Sequence, residues 1–304
     1  MRHVISIHDF SVEQIVEVLD QAEDMVEIAR GRSVSDLLRG KVLACIFFEP
    51  STRTRLSFET AMNRLGGGVI GFAGTEATSV VKGETLADTI RMVSGYADAV
   101  VLRHPREGAA KLATEFSSVP VLNAGDGAGQ HPTQTLLDLF TIRTEKGRLQ
   151  DLNISLVGDL RFGRTVHSLA IALSKFGNTI NLVSPEGLEM PAEVTSYLKS
   201  TGMLGAACHS PDEVISDTDI LYATRIQKER FPDPAEYERV AGMYRVDPDL
   251  LSRGPQNMIV MHPLPRVNEI TPEVDTLPQA KYFEQAFNGV PVRMALLSMV
   301  MGGK

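Results

Sequence analysis

Tryptophan is absent from this chain and cysteine nearly so: Cys45 and Cys208 are the only two among 304 residues. Neither stands at a metal-site spacing, and the pair makes no disulfide framework. Stability has to come from a packed core, and a reducing compartment, the cytoplasm, is expected. No apolar run reaches about 18 residues, and no basic stretch followed by an apolar one opens the chain. Neither export nor membrane insertion is therefore expected. Basic residues are in deficit, 30 Lys and Arg against 38 Asp and Glu, for a formal charge of −8. That balance argues against a broad nucleic-acid or anionic-membrane surface. It leaves room for a small basic pocket that takes an anionic substrate. Internal repeats and low-complexity tracts are also missing. What remains is an ordinary globular composition, 43% apolar and 22% charged, long enough for about two domains.

Apolar spacing predicts a helix over 10–30 with Ser11 as its cap, then a buried strand over 41–48. A helix carrying Leu56, Met62 and Leu65 follows and stops at Gly66-Gly67-Gly68. Strands are expected at 69–73, 99–103 and 119–123, helices at 85–96, 111–116 and 132–146. The stretch 74–83 is small and polar and reads as a loop. A second series begins at Asn153, with strands at 154–158, 179–184, 219–223 and 258–262. Its helices fall at 165–176, 191–200 and 292–301, and 232–244 reads as an exposed loop or short helix. Strands alternating with helices give parallel sheets covered on both faces. The fold class is therefore α/β, two doubly wound parallel-sheet domains, divided between Phe140 and Asp151.

In such sheets ligands bind beyond the carboxyl ends of the strands. That rule selects 49–55, 103–105, 123–132, 158–165, 224–228 and 262–266, each polar or charged directly after an apolar run. One cleft between the two domains could collect all six. Ser51-Thr52-Arg53-Thr54-Arg55 sits where a strand gives way to a helix. Hydroxyls, guanidiniums and the N–H groups of a helix start converge there, a combination suited to phosphate. A plain helix cap beside a solvated charged face is the competing reading. The run from Gly158 to Thr165 imitates a phosphate loop, with Arg164 in place of its lysine, and keeps a nucleotide-binding module open as an alternative.

The run from Phe47 to Arg55 resembles the carbamoyl-phosphate motif of the aspartate and ornithine carbamoyltransferase family. The resemblance continues through 82–89, Leu102-Arg103-His104-Pro105, His131-Pro132-Thr133-Gln134, Gly158-Asp159 and 163–168. It ends with Thr224–Arg230 and His262-Pro263-Leu264-Pro265-Arg266. These motifs keep the family's order along nearly the whole chain. The last two resemble the aspartate branch, since Pro263 replaces the cysteine usual in the ornithine branch; the ornithine activity is the nearest alternative.

The resemblance implies transfer of a carbamoyl group from carbamoyl phosphate to L-aspartate, a step in pyrimidine biosynthesis. It implies a carbamoyl-phosphate domain over 1–140, with a helix over 288–304 packed back on it, and an aspartate domain over 141–287. Carbamoyl phosphate would be held by Ser51, Thr52, Arg53, Thr54, Ser79, Lys82, Arg103, His131 and Gln134. Arg53, Thr54, Arg103 and His131 would act in catalysis. Aspartate would be held by Lys82, Arg164, Arg225, Gln227, Leu264 and Pro265. No metal and no organic cofactor are implied. The family implies a homotrimer with sites shared between subunits, Ser79 and Lys82 coming from the neighbour. The charged segment from Glu229 to Arg245 resembles a loop of members that assemble with regulatory chains.

Overall fold

The computed structural model describes residues 2–76, 78–127, 129–226, 235, 237 and 244–302. The chain divides into two compact units, Met1–Phe140 with Phe287–Lys304, and Thr141–Ala286.

The first unit is built on a four-stranded parallel sheet: β1 (Val42–Phe47), β2 (Gly68–Ala73), β3 (Ala99–His104) and β4 (Val121–Asp126), in the order β2-β1-β3-β4. Around it run α1 (Val12–Asp24), α2 (Val26–Ala29), α3 (Thr52–Arg64), α4 (Leu86–Ser94), α5 (Ala109–Phe116) and α6 (Pro132–Lys146). The Ser11 hydroxyl accepts from the Gln14 amide while the Gln14 side chain accepts from the Ser11 amide, a reciprocal cap that starts α1. The single helix expected over 10–30 is interrupted, because Met25 N–H reaches back only to Ala22 and tightens the turn. On one face of the sheet Ala44, Ile46, Val100, Leu102 and Val121 pack with Ile90, Val93 and Ala113. Burying each larger side chain contributes about 1.5–3 kcal/mol. Edge strand β2 is largely exposed. It crosses so close to β1 that a Cβ on Gly71 would fall 2.0 Å from the Cys45 carbonyl oxygen, which explains a glycine inside a strand.

The second unit carries a five-stranded parallel sheet, β5 (Asn153–Val157), β6 (Thr179–Val183), β7 (Leu204–Cys208), β8 (Ile220–Ala223) and β9 (Ile259–Met261), in the order β7-β6-β5-β8-β9. Among the described residues its helices include α7 (Arg164–Ser174), α8 (Ala192–Ser200) and α9 (Pro248–Ser252); α10 (Tyr282–Met301) runs on into the first unit. Two sheets of parallel strands alternating with helices are the expected fold class. The sequence reading missed β7, whose Leu-Gly-Ala-Ala-Cys lacks the β-branched residues of a strand. The last helix, expected over 292–301 and, from the resemblance, over 288–304, starts earlier, at Tyr282, and runs through Pro291. No described helix is long and apolar enough to cross a membrane.

Candidate active site

Each sheet has a point where neighbouring strands lead their connections to opposite sides, between β1 and β3 in one and between β5 and β8 in the other. Such switch points are where α/β sheets bind ligands. Ser51–Thr54 and Arg103 follow or end the strands of the first, and Arg164 and Arg225 follow those of the second.

At the first, β1 ends and α3 begins within five residues. Ser51 is the N-cap, in extended backbone, and its hydroxyl makes no capping bond. Thr52 and Arg53 are exposed and Thr54 is buried. The N–H groups of the first helical turn and the helix dipole favour an anion here. Partial desolvation pulls the Arg53 guanidinium below its ordinary value, but it stays a cation at neutral pH. From β3, Arg103 donates to the Ala124 carbonyl at 3.1 Å and lies 3.5 Å from the Glu49 carboxylate. These contacts hold it at the carboxyl edge of the sheet. His131, 6% exposed, precedes α6, and its Nε2 lies 3.5 Å from Thr54 Oγ1. Gln134 donates to Asp138 one turn further along α6, at 2.9 Å. The His131 approach is fixed by Asp126, whose carboxylate accepts from Gly108 N at 2.9 Å, Gln130 N at 2.8 Å and Asn123 Nδ2 at 3.1 Å. The structure thus brings Thr54 and His131 together and sets Arg103 beside Glu49.

Ser79 and Lys82 stand apart. The expected loop contains a short 3-10 turn, Ser79–Lys82, closed by Gly83 at φ 92°. Both side chains are exposed. Among the described residues, no hydrogen bond or ion pair joins either side chain to Ser51–Thr54 or His131.

In the second unit, Gly158 (φ 119°) follows β5, and a Cβ there would fall 2.5 Å from the Thr224 carbonyl oxygen. This close approach sets the end of β5 against the end of β8, where Thr224 N donates to the Val157 carbonyl at 2.8 Å. Arg164 opens α7 and Arg225 follows β8, both partly buried. The resemblance of 158–165 to a phosphate loop fails on its amides. Asp159 is buried, and its Oδ1 accepts from Arg161 N at 3.2 Å and Phe162 N at 3.0 Å, so those donors are occupied by a carboxylate. Gln227 lies outside the described residues, as do Lys228, Glu229 and Arg230.

Beyond β9, Leu264 has φ 53° and the Leu264-Pro265 peptide is cis. A buried pair holds this turn. His262 Nδ1 accepts from Leu264 N at 2.8 Å, so Nε2 carries the proton and donates to Glu269 at 2.8 Å. The second Glu269 oxygen accepts from Val267 N at 2.9 Å and Asn268 N at 3.0 Å. Burial pushes the Glu269 carboxyl up, but the His262 and backbone donors outweigh it, and the net shift is downward. Pro263 and Pro265 have no N–H, so the turn is rich in carbonyl acceptors. Glu269 was missed in the sequence because a carboxylate seven residues from a histidine carries no local signal. Arg266 pairs with Asp275 and the Tyr282 hydroxyl and stacks on the Tyr282 ring, 5.1 Å from its centroid, a structural anchor.

A carboxylate stabilised in the fold adds stability that is lost as pH falls through its lowered pKa. Glu269→Gln should therefore cost about 2 kcal/mol at pH 7, because an amide cannot accept from all three donors. The gap should be full above 4.5, the ordinary glutamate value, and close in more acidic solution as the wild-type carboxylate protonates. Urea midpoints of both proteins across that range check it; a gap that widens in acid would contradict the assigned pairing.

Among the described residues, no group of three His, Cys, Asp or Glu side chains is placed to hold a metal ion. Residues 2–144 match the aspartate/ornithine carbamoyltransferase carbamoyl-P binding domain, and residues 150–300 match the Asp/Orn binding domain of that family. The chain is 58% identical to the aspartate carbamoyltransferase catalytic subunit of Methanocella arvoryzae, over 99% of this chain and 97% of that one. A solved catalytic subunit of M. jannaschii aspartate transcarbamoylase superposes with a TM-score of 0.94 at 55% identity, covering 99% of this chain and 98% of the other. The Trypanosoma cruzi aspartate transcarbamoylase, solved in complex with carbamoyl phosphate and aspartate, superposes with a TM-score of 0.92 at 40% identity, covering 99% and 95%. With both halves matched and relatives above half identity over its full length, this chain belongs to the aspartate/ornithine carbamoyltransferase family.

Proposed function

We propose that this chain is the catalytic chain of an aspartate carbamoyltransferase, which transfers the carbamoyl group of carbamoyl phosphate to L-aspartate. The products are N-carbamoyl-L-aspartate and phosphate, in pyrimidine biosynthesis. Identity of 58% over nearly the whole chain to a catalytic subunit of that name carries the reading. The anion-binding groups at both switch points support it.

In this reading the phosphate of carbamoyl phosphate sits on the α3 start, held by Ser51, Thr52, Arg53 and Thr54. Gln134 binds the carbamoyl amide. The neutral α-amine of aspartate attacks the carbonyl carbon, and a C–N bond forms. Thr54, Arg103 and His131 stabilise the oxyanion. The C–O bond to phosphate then breaks, the electron pair leaves with phosphate, and the amine proton passes to that departing group. Arg164, Arg225 and Gln227 take the two carboxylates of aspartate, and the Leu264 and Pro265 carbonyls take the amine. Guanidinium forks match carboxylates, whereas the side-chain ammonium of ornithine would meet like charge. Catalysis by positioning and electrostatics alone calls for no metal and no organic cofactor. The working form is a cytoplasmic homotrimer in which Ser79 and Lys82 serve the neighbouring site, with regulatory chains as further partners.

The deciding experiment incubates purified protein with carbamoyl phosphate and either L-aspartate or L-ornithine. Carbamoylation of aspartate alone is the expected result. Product with ornithine alone would move the chain to the other branch of the family, and product with neither would overturn the assignment.

A further inference from the structure

His131 is buried between two hydroxyls. Its Nδ1 lies 3.4 Å from Thr133 Oγ1 and its Nε2 lies 3.5 Å from Thr54 Oγ1. To donate to a carbonyl oxygen from Nε2, the neutral ring must carry its proton there. Neither hydroxyl alone decides this, since a hydroxyl can both donate and accept. A third group decides it. Arg293, from α10, is 2% exposed, and its Nη2 donates to Thr133 Oγ1 at 3.2 Å. A guanidinium has no acceptor, so the direction of this bond is fixed.

The site is built to hold that guanidinium. It lies over the Phe58 ring, 5.0 Å from the centroid. A Cβ on Gly289 would fall 2.1 Å from its Nη1, so the helix leaves room with a glycine. Burial pulls Arg293 down to about 9, and the nearby Asp138 carboxylate favours the charged form. At neutral pH it remains a cation.

Thr133 is itself fully buried. Once its oxygen has accepted from Arg293, the one acceptor its proton has among the described residues is His131 Nδ1. Turning the histidine proton onto Nδ1 would strand the Thr133 proton in the buried site, which disfavours that form. We infer that Arg293, acting through Thr133, holds His131 in the tautomer with its proton on Nε2, so that Arg293 and Thr133 are positioning residues for carbamoyl transfer. The inference rests on the preceding assignment of His131 as the carbonyl donor.

The test compares wild type, Thr133→Val, which keeps the shape and deletes the hydroxyl, and Thr133→Ser, which keeps the hydroxyl. Nitrogen NMR of histidine-labelled full-length protein reads the tautomer above the pH range of imidazole titration, with His131 assigned by the loss of its signals in His131→Ala. Wild type and Thr133→Ser should show a protonated Nε2 and a bare Nδ1. Thr133→Val should lose that preference, with kcat down about tenfold to a hundredfold and the KM for carbamoyl phosphate nearly unchanged. A proton on Nδ1 in the wild type overturns the inference even if Thr133→Val fails to fold. An unchanged tautomer in a folded Thr133→Val overturns it too. The expected spectra from a protein that does not carbamoylate aspartate would support the relay and overturn the functional reading instead.

Discussion

Arg53→Ala should lower kcat about a thousandfold, the upper end of what one well-placed donor to developing charge supplies. Arg53 stands in the first turn of α3, where backbone N–H groups and the helix dipole already favour an anion. Phosphate gains charge as its bond to the carbamoyl carbon breaks. A cation there therefore acts more strongly in the transition state than in the bound substrate, and its loss falls on kcat more than on KM. Arg53→Lys should recover only part of the rate, since an ammonium lacks the planar fork that matches two phosphate oxygens. Stability gives the control. Arg53 is exposed and alanine suits a helix, so the urea midpoint should stay within about 0.5 kcal/mol of wild type. Steady-state rates with carbamoyl phosphate varied at saturating aspartate measure both terms. A kcat within tenfold of wild type would remove Arg53 from the catalytic set.

The setting of Arg53, a strand end followed by a helix start, was legible in the sequence because it is local. An apolar strand, a cluster of donors and an amphipathic helix follow one another within about twenty residues, and each periodicity is set by near neighbours. The limits of α6, Pro132–Lys146, could be read for the same reason. The groups that hold these residues in place could not. Asp126 ties Gly108 to Gln130, Asp159 takes the amides of its own turn, Glu269 closes on His262, and Arg293 reaches Thr133 across 160 residues of sequence. Nothing local marks a carboxylate or guanidinium as buried and paired, because the partner is brought by the fold. Asp138 is the partial exception: it stands four residues beyond Gln134, a spacing at which helical side chains meet. Gly71 and Gly158 also gain their meaning from the fold, through the backbone brought close to each, at Cys45 and Thr224.

Lys82 carries the second large effect. Its side chain is exposed on the Ser79–Lys82 turn, with no hydrogen bond or ion pair to the Ser51–Thr54 cluster among the described residues of its own chain. If each site takes Lys82 from the neighbouring subunit, Lys82→Ala and Arg53→Ala trimers are both nearly inactive for different reasons. Dissociating and reassociating an equal mixture should then restore activity. A site is intact only when a Lys82→Ala chain supplies Arg53 and its neighbour, an Arg53→Ala chain, supplies Lys82. In a cyclic trimer that mixes at random this holds for about a quarter of the sites. The recovered kcat should accordingly approach a quarter of the wild-type value, from parents about a hundredfold or more below it. The KM of the recovered activity should match wild type, because each restored site is complete. Chains with both substitutions, mixed with wild type, provide the contrast: they can only dilute intact sites and never create one. Recovery no greater than the sum of the parents, in a mixture whose exchange is verified by mass-tagged chains, would mean that each site draws both residues from one chain. The exposed Ser79–Lys82 turn would then need a rearrangement within its own subunit to reach the phosphate.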